Sequence, residues 1–287
     1  MDHDTLQQWI GKTETHEDQV TLAPLRALSA TLDRAGPPPV VGDPVPPCWH
    51  WLYLLPLQPM EGVGPDGHPR RGGFLPPVPL PRRMWAGSRM RFHHALRAGS
   101  AIHRTSRIAS VANKQGRSGE LVFVQVHHEI ADAQGIAISE QQDIVYRGMP
   151  QPGDAPRPGA ARSDEQFSRR IAPDPVLLFR YSALTFNGHR IHYDRPYAIN
   201  EEGYPGLVVH GPLIATLLIE QLHRTHPGHA VRSFDFKAVS PLFDTAPFEV
   251  CGRIDGDLAS LWARGPDGQL AMEASATVSM TSSTSPQ

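Results

Sequence analysis

Cysteine is nearly absent: the 287-residue chain carries two, Cys48 and Cys251, far apart and without a CxxC neighbour. That excludes a disulfide framework and a zinc ribbon as sources of stability. Long apolar runs are missing, and none approaches the roughly 20 residues that span a bilayer. The opening MDHDTLQQWIGKTETHEDQ has neither the basic start and apolar stretch of a signal peptide nor the Arg-rich character of a transit peptide, so a cytoplasmic protein without membrane contact is expected. An excess of one charge is also lacking. With 27 Lys and Arg against 29 Asp and Glu, no overall field draws the chain to nucleic acid, and a ligand must be held by local groups. There is no P-loop, no GxGxxG after a strand, no GxSxG elbow and no HExxH.

Proline, glycine and histidine are plentiful. The stretch 148–166, GMPQPGDAPRPGAARSDEQ, cannot bury an apolar face and is expected to be a linker between an N-terminal half, 1–147, and a C-terminal half, 167–287. In the second half GPLIATLLIEQLHRTHPG has Pro212 suited to a first helical turn, an apolar set through Leu213, Leu217, Leu218 and Leu222, and a Pro-Gly stop. Four strand-like segments follow: RSFDFKAV, FEVCGRI, LASLWAR and LAMEASATVSM. The last two are joined by the hairpin signal GPDG. The first half echoes this order. TLAPLRALSATLDRAG reads as a helix ending at Gly36, and SAIHRTSRIASV, GELVFVQVHHEI and IAISEQQDIVYR read as strands. Each half thus offers one long helix and a set of antiparallel strands, an α+β arrangement with a sheet wrapped over a buried helix. Between them lies a Pro-rich insertion, 37–81. Its Trp49, Trp51, Tyr53 and Phe74 are too apolar to stay solvated, so it either packs structurally or acts as a lid over a ligand.

Histidine is the remaining source of chemistry. The adjacent pairs His93/His94 and His127/His128 point to opposite faces if they lie in strands, which disfavours a shared metal ion. His189 and His192 in LTFNGHRIHYD are three residues apart and could share a face, with Asp194 the only further ligand nearby in sequence, so no metal is expected. Further on, YPGLVVHGPLIATLL leads into the strong helix. The N–H of Gly211 at its start, next to His210, lacks an internal acceptor and sits at the positive end of the helix dipole, where it can polarise a carbonyl oxygen. Ordinary helix capping is the alternative.

These two segments, FRYSALTFNGHRIHYDRPYA and PGLVVHGPLIA, resemble the MaoC-like enoyl-CoA hydratases and hydroxyacyl-thioester dehydratases. The longer stretches CWHWLYLLP, GPDGHPRRGGFLPPVPLPRRMWAGSRM, GRSGELVFVQVHHEI and EQQDIVYR resemble the dehydratase subgroup that includes mesaconyl-C4-CoA hydratases, itaconyl-CoA hydratases and mitochondrial hydroxyacyl-thioester dehydratases. The resemblance implies a double hotdog, two antiparallel sheets each wrapped around a long central helix. It implies an acyl-CoA substrate, no further cofactor, and a homodimer or higher homo-oligomer. The family motif, Ser-Gly-Asp-x-Asn-Pro-(Leu/Ile)-His, places the catalytic His on His192, the catalytic Asp on Asn187 and the motif Asn on His189, with the oxyanion-binding glycine on Gly211. His189, Asp194 and His210 are then supporting residues. Because substrates of the subgroup include thioesters with a free carboxylate, a guanidinium is expected in the acyl pocket, and Arg82, Arg83, Arg89 and Arg190 are the candidates. The expected activity is reversible hydration of a branched C5 dicarboxylic enoyl-CoA to citramalyl-CoA. The alternatives are a 3-hydroxyacyl-thioester dehydratase of fatty acid synthesis and a non-catalytic acyl-CoA binding module; a thioesterase fits the motifs less well.

Overall fold

The computed structural model describes residues 3–116, 119–149 and 158–280. The centre of the expected linker, 150–157, lies outside the described residues.

Helix α5, Gly211–Thr225, forms where Pro212 presets the first turn, and every residue from Leu213 to Leu222 is buried. A helix that buries Leu and Ile around its circumference has to be enclosed. The second half supplies the enclosure: strands β6 (Phe167–Ile171), β7 (His229–Ala238), β8 (Phe248–Asp255), β9 (Leu258–Arg264) and β10 (Leu270–Met280) all pack against α5. The first half repeats the plan with a shorter helix. After a short helix α1, His3–Gln7, comes helix α2, Leu22–Thr31, which buries Leu25 and Leu28. It stops ahead of the expected Gly36 because Asp33 adopts a left-handed backbone (φ 48°) that ends the α-helical path. Its strands are β1 (Thr13–Gln19), β2 (Arg82–Phe92), β3 (Ala101–Gly116), β4 (Gly119–Asp132) and β5 (Gly135–Arg147).

The two half-sheets join edge to edge into one ten-stranded antiparallel sheet, in the order β1-β3-β4-β5-β2-β7-β10-β9-β8-β6. The seam is β2 against β7, with Ser88 opposite Phe236 and Met90 opposite Phe234. At a bulge between Trp85 and Gly87 a side chain on Gly87 would collide with the Phe236 carbonyl, so the seam closes only over glycine. One apolar cluster runs through both halves and contains α2, α5 and the inner faces of the sheet. The double hotdog implied by the resemblance is what forms, with its two sheets fused.

The Pro-rich insertion is packed. Trp49, Leu52, Tyr53 and Leu54 are in the core. The Tyr53 hydroxyl donates to the Thr21 carbonyl at 2.6 Å, and the Leu54 N–H donates to the Asp18 carboxylate at 2.7 Å. Its later part, from Val63 to Leu75, borders a cavity at the seam. No helix of the described residues is long and apolar enough to cross a membrane, and both cysteines are buried free thiols.

Candidate active site

The cavity occupies about 1490 Å³. It is bounded by the insertion, by the concave faces of β2 to β5, by the segment after helix α3 (Pro175–Leu184) and by the first residues of α5. Local signals set the middle segment. Asp174 caps α3 by accepting from the N–H groups of Val176 and Leu177 at 2.8 and 3.0 Å. Phe186 ends it in a left-handed conformation (φ 50°), strain that an L-residue accepts only when its surroundings demand it. Asn187 then closes an Asx turn, its Oδ1 accepting from the His189 N–H at 3.0 Å. A tight turn over Arg190–His192 leads to α4 (Arg195–Asn200), capped by Asp194, which accepts from the Tyr197 N–H at 3.2 Å.

His192 is buried and borders the cavity. Its Nδ1 lies 2.7 Å from the Val208 carbonyl oxygen. A carbonyl only accepts, so Nδ1 carries the proton and Nε2 keeps its lone pair. Burial pushes the imidazole pKa down to about 4, so the ring is neutral near pH 7. His210 stacks on it, ring centroids 3.7 Å apart, and hydrogen-bonds Ser182 Oγ at 2.8 Å; burial lowers the His210 pKa strongly. The extended segment between them is fixed by the Val208 N–H donating to Ile191 O and the Val209 N–H to Leu242 O, each at 2.9 Å. Gly211 opens α5 on the cavity, and among the described residues its N–H has no acceptor. A side chain built there would meet only the Trp85 carbonyl, at 4.0 Å.

The structure therefore brings His192, Asn187, His189 and Gly211 to one cavity, with His210 buried behind His192 and stacked on it. Two expected supporting roles are corrected. Asp194 does not orient His192: it is tied to Arg190 at 2.8 Å and to the cap of α4. Nor does His189 hydrogen-bond His192; the rings meet edge to face at 5.4 Å, and the Val208 carbonyl does the orienting. Of the four arginines, Arg89 projects outward and pairs with Asp143 at 2.7 Å, away from the cavity, because its strand position faces solvent. Arg82 pairs with Glu202 and stacks on Tyr204, and Arg190 pairs with Asp194. Arg83 borders the cavity without a carboxylate partner among the described residues, and its charge lowers the pKa of both His68 and His189 behind the larger effect of burial.

Three groups were not anticipated. Asp66 and His68, from the insertion, join His189, and one ligand-type atom from each lies within 4.8 Å of the others. This trio, rather than His189 with His192 and Asp194, is the set with the donor types for a metal ion. No local pattern marks it, because Asp66 and His189 are distant in sequence. Arg104 also borders the cavity, its Nε buried without a partner. The third is Glu140, a buried carboxylate in the cavity wall. It accepts from Ser88 Oγ at 2.8 Å, Gln142 Nε2 at 3.2 Å and Trp51 Nε1 at 3.3 Å, and its Oε2 lies 3.3 Å from His50 Nε2. Burial alone would raise its pKa, but His50 first, then His128 and Ser88, hold it at about 2. Through Ser88 it also anchors Trp85, which packs edge to face on Trp51 at 5.1 Å. Glu140→Ala strips these groups of their acceptor and is expected to cost about 3–5 kcal/mol of stability in chemical denaturation.

The family model for hydroxyacyl-thioester dehydratase type 2 matches residues 48–244. Over 267 residues the chain is 51% identical to the mesaconyl-C(4)-CoA hydratase of Chloroflexus aurantiacus, covering 93% of this chain and 95% of that one. Among solved structures, a MaoC-like dehydratase from Phytophthora capsici superposes with a TM-score of 0.71 at 12% identity, covering 99% of this chain and all of the other. A Mycobacterium tuberculosis protein described as a double hotdog superposes at 0.57 with 11% identity, covering 94% of this chain and 96% of that one. These two likenesses carry the fold alone. The match of the family model and the 51% identity show that the chain belongs to the hydroxyacyl-thioester dehydratase type 2 family, a MaoC-like hydro-lyase of double-hotdog fold.

Proposed function

We propose that the chain is an enoyl-CoA hydratase acting reversibly on a branched C5 dicarboxylic thioester, mesaconyl-C4-CoA or itaconyl-CoA, to give citramalyl-CoA. The observation that carries this reading is the coexistence in one cavity of a fixed neutral imidazole, an unpaired helix-start N–H and a guanidinium without a carboxylate partner, Arg83. A monocarboxylic acyl chain has no use for that guanidinium, whereas a second carboxylate entering an apolar pocket requires it. The Chloroflexus relative is named for such a substrate.

In this reading the thioester oxygen accepts from the Gly211 N–H, where the α5 dipole stabilises charge as the enolate forms. With mesaconyl-C4-CoA, whose double bond is conjugated to the thioester, His192 Nε2 takes a proton from water as the oxygen attacks the β-carbon, and the proton ends on the α-carbon. Asn187 cannot exchange a proton. Its Oδ1 is committed to the Asx turn, which leaves its amide N–H groups to hold the water. The C-terminal half, 167–287, thus supplies the proton-transfer segment, and the N-terminal half, 1–147, supplies the acyl wall.

The test is formation of the hydroxyacyl-CoA product, separated by liquid chromatography, from mesaconyl-C4-CoA, itaconyl-CoA and crotonyl-CoA side by side. A kcat/KM for one of the C5 dicarboxylic substrates at least 10-fold above that for crotonyl-CoA is expected. Preference for long monocarboxylic acyl chains would favour a fatty acid dehydratase, and CoA binding without turnover would favour a binding module.

A further inference from the structure

The cavity reaches further than a C5 acyl group does. From the Gly211 N–H and the Trp85 carbonyl on β2 it continues across β5 and β4 to β3 and β1, where Arg104 and Glu14 border it. The main chain of a branched C5 acyl group, fully extended, covers about one strand spacing, roughly 5 Å. In the branch beyond, sheet pairing sets Ser106 opposite His128 and His128 opposite Glu140. His128 is 8% exposed and borders the cavity. Its Nδ1 lies 2.9 Å from Ser106 Oγ, and its Nε2 is buried with no hydrogen-bond partner among the described residues. Burial pushes its pKa down to about 4, so near pH 7 the ring is neutral. Gln142, beside it, turns its amide N–H away to Glu140 Oε1 at 3.2 Å. Arg104 precedes Ser106 by two residues and so shares its face of the sheet. Its Nε is likewise buried and unpartnered. Glu14 and Glu140 offset part of the cost of burying this cation, but among the described residues neither is within ion-pair distance of it. Val126, Ile130 and Ile144 make the rest of this wall apolar.

We propose that Arg104 and His128 are specificity-determining residues that bar aliphatic acyl chains from the far branch, so that short thioesters are accepted and longer monocarboxylic ones rejected; the inference rests on the hydratase reading above. With the thioester oxygen on Gly211, a long acyl chain has to run over β5 towards β3. His128 lies two strand spacings from β2, roughly 10 Å, and Arg104 three, roughly 14 Å. An octenoyl chain therefore reaches His128, and a dodecenoyl chain reaches Arg104 as well. Neither chain offers a hydrogen bond. Each would cover His128 Nε2, and the longer one also the guanidinium, leaving buried polar groups without partners. Such unpaired groups discriminate more strongly than a small misfit in an apolar pocket. Crotonyl and C5 dicarboxylic groups stop short of both residues, and the C5 carboxylate meets Arg83 instead. Glu140 has no part in this rejection, because four side chains already satisfy it.

The test measures kcat/KM for crotonyl-CoA, trans-2-octenoyl-CoA, trans-2-dodecenoyl-CoA and both C5 dicarboxylic thioesters, with melting temperatures alongside. The enzymes are the wild type, Arg104→Met, Arg104→Lys and the double variant His128→Leu/Ser106→Ala, in which no hydroxyl is stranded. Ratios between substrates within one enzyme cancel any general loss of activity. For the wild type, octenoyl-CoA and dodecenoyl-CoA are expected at least about 100-fold below crotonyl-CoA. The double variant should raise the octenoyl-to-crotonyl ratio about 10-fold. Arg104→Met should raise the dodecenoyl-to-crotonyl ratio about 10-fold and leave the octenoyl ratio within threefold of wild type. Arg104→Lys keeps a cation and should leave both ratios near wild type. Arg104 is only half-buried, so its variants decide the matter even where the double variant does not fold.

A wild type that hydrates octenoyl-CoA within threefold of crotonyl-CoA overturns the inference, as do long-chain ratios unmoved in every folded variant. A gain in Arg104→Lys equal to that in Arg104→Met would make space, not polarity, the determinant and overturn it too. So would a loss in Arg104→Met confined to the C5 dicarboxylic substrates, which would make Arg104 a ligand of the substrate carboxylate. Failure of the hydratase reading shows separately, as absence of turnover of every thioester by the wild type.

Discussion

Replacing His192 by glutamine is expected to lower kcat about 1000-fold, with KM for the thioester changed by no more than a few-fold. General acid–base catalysis contributes about 10²–10⁴-fold, and His192 is well prepared for it. The Val208 carbonyl fixes its tautomer, and stacking on His210 fixes its plane. Glutamine preserves polarity and much of the volume but cannot take a proton at pH 7. The loss should therefore sit in kcat, as for an interaction made only in the transition state. Direction with pH follows from burial. Because burial pushes the pKa of the free wild-type His192 down to about 4, kcat/KM should hold on the acid side well below the ordinary histidine value of about 6.5. Stability sets the other boundary. Folded His128, His192 and His223 all titrate at about 4, depressed by burial, so between about pH 6.5 and 4 the unfolded chain binds more protons and stability falls as pH falls. Acid profiles are accordingly measured alongside a folding probe.

Several parts of this design are legible in the sequence because their signals are local. Pro212 and the apolar residues after it mark α5, period-two alternation marks β10, and Gly211 stands at the helix start it was assigned. The His192 segment is legible through its motif. What escaped notice depends on distance along the chain. Strand β2 follows PLP and opens with two arginines, so its propensity reads as loop, yet it forms the seam because Gly87 lets β7 approach. The first and last strands of the fused sheet, β1 and β6, escaped notice for a related reason: β1 is almost wholly polar, and β6 buries only Ile171 fully. Asp66 and His68 sit in a turn whose residue types read as punctuation; only docking against Gly188 and Arg190 turns them into part of the site. The arginines show the same limit. Their residue type implies an anion partner, but Glu202, Asp143 and Asp194 had already taken three of the four candidates.

Arg83→Met is expected to lower kcat/KM for the C5 dicarboxylic substrate by about 100-fold or more, while the value for crotonyl-CoA changes less than about threefold. Removing one member of a desolvated charge pair costs about 2–5 kcal/mol, much of it from the charge left unpaired. Crotonyl-CoA presents no carboxylate and so loses nothing of that kind. Methionine keeps the length and packing of the arginine stem, which confines the change to the charge. Position favours Arg83 over the other unpaired cations. It lies on β2, two residues before Trp85, whose carbonyl faces Gly211, and its charge reaches His68 and His189. Arg104 lies on β3, separated from β2 by β4 and β5, roughly 14 Å at the usual strand spacing. Arg104→Met should therefore leave the ratio of the two substrates near that of the wild type. A ratio that collapses in Arg104→Met and persists in Arg83→Met would move the carboxylate subsite to the far end of the cavity. It would also require the thioester to lie across the sheet from the helix start, so the Gly211 assignment would fall with it.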